Sequence, residues 1–260
     1  MLRRVLLIFA TTLYSSIAQH SPDLQNLDSD VIAANKAIRY QFPYQVSIQR
    51  KIANSEYIHI CSGAILSLTW VTTTAYCVTP PENHFRVVTG LLYRHAFDID
   101  VQVMEVDVIV IHPDYKGGIS GGDLALLQLR SWLGFTKSVQ PIPLSYEEDT
   151  WGAAMLSSWK VQTRLFKSYS FKGLYYMIVY TLSEEECKNA LSDKYNLSTK
   201  VLCTEKMEDG LFCPGESGSP LVSNGYLIGL TSWGFLPCGI TVYTKISYFL
   251  DFIMMYVKDL

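Results

Sequence analysis

One candidate nucleophile in this sequence is the hydroxyl of Ser217, which lies in the glycine-containing segment Cys213 to Pro220. A serine hydroxyl attacks an acyl group efficiently when a nearby base takes its proton and later passes it to the leaving group. Imidazole has a pKa suited to this task. The chain contains five histidines, which are His20, His59, His84, His95 and His112. The candidate chemistry is therefore acyl transfer by Ser217, and the open question is which group serves as its base.

Composition limits the partners and cofactors that this chain can have. It has 260 residues, 49% of them hydrophobic and 17% charged, with a formal net charge of −3. It can bury a full core, and it has no long basic run with which to bind nucleic acid or an anionic membrane. It has no Cys-x-x-Cys motif and no nearby pair of histidines, so we expect no metal and no cofactor. An even number of cysteines and the lack of heptads favour a monomer.

The amino terminus has the features of a secretory signal. Met1 to Arg4 is cationic, Val5 to Leu13 is mostly apolar, and Ser16-Ile17-Ala18 supplies small residues for cleavage. The apolar run is shorter than the roughly 20 residues needed to cross a bilayer. We predict a signal peptide over residues 1–18, a short leader over residues 19–30, and a secreted, extracellular chain whose six cysteines are compatible with three disulfides.

Short strand-like runs rich in Val, Ile, Leu and Tyr dominate the rest of the sequence. They are Pro43 to Gln49, Ala64 to Thr73, Phe85 to Thr89, Met104 to Ile111, Leu124 to Leu129, Tyr175 to Leu182, Tyr226 to Ser232 and Thr241 to Ile246. Two short helices are predicted, one opened by a capping box at Ser183 and a final one capped by Ser247. This pattern indicates an all-β protein, built as an antiparallel barrel or as packed sheets.

Several stretches resemble the trypsin- and chymotrypsin-like serine proteases (peptidase S1), in the order and at roughly the spacing of that family. They are Pro43-Tyr44-Gln45-Val46-Ser47, Cys61-Ser62-Gly63, Trp70 to Cys77, His112 to Tyr115, Asp123 to Leu127, Cys213 to Pro220 and Ser232-Trp233-Gly234. The resemblance covers residues 31–260. It implies two packed six-stranded antiparallel β-barrels with a C-terminal α-helix.

The resemblance also implies the disulfide pairing, which spacing alone leaves open among 15 possibilities. The implied pairs are Cys61 with Cys77, Cys187 with Cys203, and Cys213 with Cys238. The sequon Asn196-Leu197-Ser198 predicts a glycan at Asn196.

The triad implied by the resemblance lacks its base. Asp123 and Ser217 stand at the aspartate and nucleophile positions, but Tyr76 stands at the histidine position. A phenol, with a pKa of about 10, is almost wholly protonated at neutral pH and cannot take the proton of Ser217. Loss of the base in such a triad costs on the order of a millionfold in turnover. The five histidines fall at leader, framework or loop positions, so we expect no substitute base.

The implied substrate pocket is altered as well. Its strand is formed by Ser232, Trp233 and Gly234. Leu211 stands where trypsin-like members carry the charge that selects basic side chains, and Thr241 stands where a glycine leaves room for the substrate. Gly215 and Ser217 are retained as donors for the oxyanion hole. The pocket residues are compatible with a small apolar cleft or with a closed one.

Activation by cleavage is also expected to fail. In the family, cleavage after a basic residue frees a hydrophobic terminus that pairs with the aspartate preceding the nucleophile. Val31 stands at that terminus, but Asp30 precedes it, and no lysine or arginine occurs between Gln19 and Asn35. The acid preceding Ser217 is Glu216. The resemblance therefore implies a second defect that does not depend on Tyr76.

Three further residues match an inhibitory cluster that some zymogens of the family hold. They are Ser47, His59 and Glu216. We predict that Glu216 pairs with His59 and keeps the chain in a proenzyme-like state. The alternative is that Ser47 and His59 are ordinary barrel residues.

These observations favour a secreted, non-catalytic serine protease homologue. It would bind extracellular proteins, such as proteases or inhibitors, as a cofactor, decoy or regulator. The competing hypothesis is a serine endopeptidase of very low or atypical activity that uses Ser217 and Asp123. A third, a carrier of apolar ligands in the pocket around Leu211 and Trp233, has no specific support in the sequence.

Overall fold

The computed structural model describes residues 34–52, 56–80, 84–94, 99–119, 121–148, 150–163, 168–191, 199–205, 212–213, 215–235 and 239–260. The predicted signal peptide over 1–18 and leader over 19–30 lie outside these residues. Asn196, Leu211 and Cys238 also lie outside them, so the predicted glycan, one pocket residue and the bridge from Cys213 are not described.

The first half of the chain forms a closed six-stranded barrel, with the strand order β2-β3-β4-β7-β6-β5. Its strands are β2 (Gln45–Lys51), β3 (Tyr57–Ile65), β4 (Trp70–Thr73), β5 (Phe85–Thr89), β6 (Gln102–Ile111) and β7 (Ala125–Leu129). Every neighbouring pair is antiparallel. Val46, Ile48, Val71, Val87 and Leu127 are fully buried in its interior. These aliphatic side chains supply the apolar burial that stabilises the barrel.

The second half forms the other barrel. Its six strands are β8 (Gly152–Thr163), β9 (Ser168–Thr181), β10 (Val201–Thr204), β12 (Pro220–Ser223), β13 (Tyr226–Gly234) and β14 (Thr241–Lys245). The order β9-β10-β14-β13-β12-β8 is closed by pairing of β8 with β9, and all these pairs are antiparallel. Two short strands, β1 (Asn35–Lys36) and β11 (Phe212–Cys213), pair with β9 and β8. The predicted pair of six-stranded barrels is confirmed.

One predicted strand is wrong. Ala64 to Thr73 is not continuous, because β3 ends at Ile65 and β4 begins at Trp70. The backbone N–H of Leu66 donates to the carbonyl oxygen of Trp70 at 2.9 Å, and this bond closes a hairpin turn. The turn residues include Leu66 and Leu68 as well as Ser67 and Thr69, so the run is apolar enough to look like one strand.

The first helix, α1 (Glu184–Leu191), begins as predicted. The Ser183 hydroxyl accepts the backbone N–H of Glu186 at 3.3 Å, while the Glu186 carboxylate accepts the backbone N–H of Ser183 at 2.8 Å. These reciprocal bonds form a capping box.

The predicted cap of the final helix is wrong. Ser247 lies inside a 3₁₀ turn, Ile246–Phe249, and Phe249 precedes α2 (Leu250–Tyr256) without a side-chain cap. Phe249 and Ile253 are fully buried in one cluster with the first barrel's Leu126, so packing rather than capping fixes where this helix lies.

Two disulfides join elements near the site region. Cys61 of β3 bonds Cys77, and Cys187 of α1 bonds Cys203 of β10. Both pairs are those that the resemblance implied. Among the described helices, none has the length and apolar character needed to span a membrane.

Candidate active site and the buried cluster beside it

Asp123 lies immediately before Leu124 and β7, where its carboxylate is buried. Its Oδ1 accepts the backbone N–H of Tyr76 at 2.9 Å, and its Oδ2 accepts the hydroxyl of Ser232. Burial raises the pKa of Asp123, and the hydrogen bonds from Ser232 and from the backbone of Tyr76 and Ala75 only partly oppose this effect. The carboxylate therefore has donors on both oxygens without an imidazole.

Tyr76 lies in the 3₁₀ turn Ala75–Val78 that follows β4. The disulfide between Cys61 and Cys77 ties this turn to β3. The Tyr76 side chain is 62% exposed, so its phenol faces solvent while its backbone contacts Asp123. Burial raises the pKa of a nearby phenol, Tyr115, and the charge of Asp123 raises it further. Asp123 is thus contacted by the Ser232 hydroxyl and the Tyr76 backbone, and neither is a base at neutral pH.

Ser217 lies in the turn before β12, between two glycines with positive φ. Gly215 has φ +63° and Gly218 has φ +79°. A Cβ at Gly218 would lie 2.1 Å from the Ser62 carbonyl oxygen and 2.5 Å from Thr73 Oγ1. The carbonyl oxygen of Ser217 accepts the backbone N–H of Ser62 at 3.1 Å. The turn is therefore held tightly against β3 and β4, and only glycine fits at residue 218.

The hydroxyl of Ser217 donates to a carbonyl oxygen. Its acceptor is the Ser232 carbonyl at 3.4 Å, and within the described ranges it makes no hydrogen bond to Tyr76 or Asp123. A backbone carbonyl oxygen does not take a proton at ordinary pH. The structure thus brings Ser217, Ser232 and Asp123 into one site, with Tyr76 present through its backbone alone.

The histidines that the structure describes are engaged elsewhere. His112 packs edge-on against Phe249 and Phe252 at centroid distances of 4.8 and 4.6 Å, and burial lowers its pKa. His84 directly precedes β5, and its carbonyl oxygen accepts the backbone N–H of Lys51 at 2.9 Å. His20 and His95 lie outside the described residues.

Glu216 forms the centre of a buried polar cluster with His59 and Ser47. His59 Nε2 lies 2.9 Å from Glu216 Oε2, and His59 Nδ1 lies 2.8 Å from the hydroxyl oxygen of Ser47. The side chains of His59 and Glu216 are only 7% and 4% exposed. The structure therefore brings together the three residues of the predicted cluster and couples β2 and β3 to the turn that carries Ser217.

Four further groups complete this cluster, and sequence reasoning missed them. The Ser62 hydroxyl donates to Glu216 Oε1 at 2.7 Å and accepts Gln45 Nε2 at 3.0 Å, and Gln45 Oε1 accepts the Ser157 hydroxyl at 2.7 Å. The ring of Trp159 packs edge-on against His59 at 5.6 Å. Ser157 and Trp159 lie on β8, which no apolar alternation marks. Ser62 belongs to the motif Cys61-Ser62-Gly63, but nothing in the sequence indicates where its hydroxyl points.

The neighbours of Glu216 stabilise its ionised carboxylate. Full burial alone raises the pKa of Glu216, but the charge of His59 and the hydrogen bonds from His59, Ser62 and the Trp159 backbone outweigh it. The pKa of Glu216 therefore lies below its ordinary value. Both carboxylate oxygens of Glu216 already have a partner inside the cluster, His59 on Oε2 and the Ser62 hydroxyl on Oε1.

The predicted pocket strand lies at the end of β13. Trp233 pairs with Val242 and Gly234 pairs with Thr241 across the β13–β14 ladder. Phe235 packs on the Trp233 ring at 5.4 Å. Thr241 is buried, whereas Ser232 and Trp233 are half-buried. Among the residues that the structure describes, no group of three or more His, Cys, Asp or Glu side chains could hold a metal ion.

Comparison with known proteins agrees with this geometry. The family model described as Trypsin matches residues 31–253. The chain belongs to the trypsin family of serine proteases. Trypsin II-P29 of Gallus gallus is 29% identical over 238 residues, covering 87% of this chain and 88% of that protein.

Two other members of the trypsin family are similar over most of this chain. Coagulation factor XI of Bos taurus is 28% identical over 246 residues, covering 86% of this chain but 37% of factor XI. This chain thus corresponds to little more than a third of that relative. The solved structure of mouse neuropsin, a serine protease expressed in the limbic system, matches with a TM-score of 0.73 and 25% identity, covering 85% of this chain and 97% of neuropsin.

Proposed function

We propose that this chain is a secreted, non-catalytic member of the trypsin family that acts by binding other extracellular proteins. The observation that carries the proposal is the environment of Ser217. Its hydroxyl donates to the carbonyl oxygen of Ser232, and Tyr76, at the position of the base, turns its phenol to solvent. Without a proton acceptor, acyl transfer loses the step that makes the hydroxyl a nucleophile.

The buried cluster supports a second, independent defect. Glu216 already has the imidazole of His59 and a hydroxyl donor, Ser62, on its two oxygens. A newly freed amino terminus would have to displace His59 from a buried pair before it could bind Glu216. We propose that this pair keeps the turn at Ser217 in a proenzyme-like state.

Secretion is supported by the cysteines. The bonds of Cys61 with Cys77 and of Cys187 with Cys203 form and persist in oxidising compartments. The residues at the amino terminus fit a signal peptide. Partners such as proteases or their inhibitors are proposed by analogy with the fold.

The competing function is that of a weak serine endopeptidase. Ser217, Asp123 and Gly215 are all retained, and Asp123 remains buried next to Ser232. A measurement of hydrolysis separates the two functions.

Peptide hydrolysis by four purified proteins tests the proposal. Wild type, Ser217→Ala, Tyr76→His and Tyr76→Phe are assayed on one panel of peptide substrates with basic, aromatic and small residues at the cleaved position. We expect all four to give the same background, because Tyr76→His restores the base but leaves Glu216 paired with His59. A wild-type rate clearly above that of Ser217→Ala would overturn the non-catalytic function. Substantial activity in Tyr76→His alone would overturn the second defect.

A further inference from the structure

An exposed tyrosine followed by three acidic residues lies in the connection between β7 and β8. The segment reads Ser145-Tyr146-Glu147-Glu148-Asp149. The Tyr146 side chain is 66% exposed. Within the described residues, no hydrogen bond, ion pair or ring contact engages its phenol. Tyr146 therefore presents an accessible hydroxyl beside acidic residues.

The backbone on the amino-terminal side holds this tyrosine outward. The Pro143 carbonyl accepts the backbone N–H of Leu227 at 2.9 Å, and the Ser145 N–H donates to the Leu227 carbonyl at 3.1 Å. Ser145 is buried, and its hydroxyl oxygen accepts the backbone N–H of Glu147 at 3.2 Å. The chain is thus fixed to β13 up to Ser145, and Tyr146 follows directly at the surface.

The acidic residues have no basic neighbours in sequence. No lysine or arginine occurs between Lys137 and Lys160. Glu147 and Glu148 are exposed, and in the described part of the chain no ion pair involves them. In space, Lys245 lines one cavity with Glu148, so this cation lies near the acidic segment. An enzyme with a cationic binding groove would still meet an excess of acidic side chains there, which charge complementarity favours.

We propose that Tyr146 is a site of O-sulfation. The proposal rests on the secretory route included in the proposed function, and it does not depend on the lack of catalysis. The phenol oxygen of Tyr146 attacks the sulfur of phosphoadenosine phosphosulfate. A new O–S bond forms, the bond from sulfur to the donor's phosphate oxygen breaks, and the phenol proton passes to a base of the sulfotransferase. The product adds a negative charge beside Glu147 and Glu148, which suits a partner surface rich in arginine.

Transfer of radioactive sulfate to the folded, disulfide-bonded chain tests this site. The purified chain is incubated with a tyrosylprotein sulfotransferase and labelled donor. We expect one sulfate per chain in wild type, none in Tyr146→Phe, and full labelling in the control Tyr226→Phe, whose tyrosine is about half exposed without acidic neighbours. The double variant Glu147→Gln, Glu148→Gln should lose labelling severalfold while keeping the tyrosine.

The same site is then read in chain collected from the medium of cells fed radioactive sulfate, after N-glycans are removed. Label that disappears in Tyr146→Phe supports the proposal. Unlabelled secreted chain, equal label in Tyr146→Phe, or a phosphatase-sensitive group in place of sulfate would overturn it. Labelling of Ser217 by an active-site probe would refute the proposed function without changing any of these outcomes, so the two failures are distinguishable.

Discussion

A single residue decides the chemistry of this site. Asp123 and Ser217 stand at the aspartate and nucleophile positions of the family, but Tyr76 stands at the position of the histidine. Asp123 accepts the backbone N–H of Tyr76 and the hydroxyl of Ser232, so its buried charge is stabilised without an imidazole. Replacement of histidine by Tyr76 therefore need not leave a buried carboxylate unpaired. This explains how the fold keeps Asp123 although we propose that it no longer serves catalysis.

The pair of Glu216 with His59 predicts a large effect of one substitution on stability. Glu216→Gln leaves the imidazole of His59 without its counter-charge in a buried site. We expect the free energy of unfolding to fall by about 3 kcal/mol, because removing one partner of a buried pair leaves the other without compensation. Chemical denaturation at neutral pH measures the loss. Glu56→Gln, at an exposed glutamate, is the matched control, and equal effects of the two substitutions would contradict the pairing.

The same pair predicts a pH dependence of known sign. The pKa of Glu216 is lower in the folded chain than its ordinary value of 4.5. Its contribution to stability is therefore fully present above the unfolded pKa and is lost as the pH falls through the folded pKa. The gap in unfolding free energy between wild type and Glu216→Gln should narrow below this ordinary value. A gap that widens on acidification would contradict the prediction.

At the scale of elements, the strands with clear apolar patterns could be predicted and those with small or polar residues could not. The strand predicted over Met104 to Ile111 falls within β6, where Met104 is buried, Glu105 and Asp107 are exposed, and the alternation continues as far as a bulge between Val106 and Val108. β8 has no such alternation, because Ser157, Ser158 and Trp159 are all buried between neighbouring elements. Local propensity does not show burial on both faces of a strand.

Capping gives a second contrast at this scale. Ser183 and Ser247 both precede helical segments, but only Ser183 has a glutamate three residues later that completes a capping box. The position of the final helix α2 is instead set by the burial of Phe249 and Ile253. Packing partners far away in sequence determine that boundary, so the local pattern around Ser247 could not reveal it.

The turn that carries Ser217 gives a test with a matched pair of glycines. Gly218→Ala places a methyl group 2.1 Å from the Ser62 carbonyl oxygen in a left-handed backbone. We expect a loss of about 3 kcal/mol, since steric overlap adds to backbone strain. Gly117→Ala has φ +85° but nothing within 4 Å of the new methyl group, so it should cost about 1 kcal/mol. Thermal or chemical unfolding compares them, and equal losses would show that the turn is not tightly packed.

At the scale of the whole molecule, the order of motifs along the chain predicted two six-stranded barrels, and the structure has them. The same resemblance grouped Ser47, His59 and Glu216, whose side chains lie within hydrogen-bond distance of one another along the series. It could not predict the hydrogen bonds of Ser62, Gln45 and Ser157, because those depend on how the barrels meet. The pair of barrels thus follows from the family resemblance that these motifs carry, whereas the further hydrogen bonds of the buried cluster follow from packing across the interface between barrels.

The most direct test of the account is labelling of the folded chain by a fluorophosphonate probe, which reacts with activated serine nucleophiles. The account predicts that wild type and Ser217→Ala give the same negligible signal at neutral pH, while an active trypsin in the same buffer is labelled fully. Robust labelling of wild type that disappears in Ser217→Ala would contradict the claim that Ser217 has no working base.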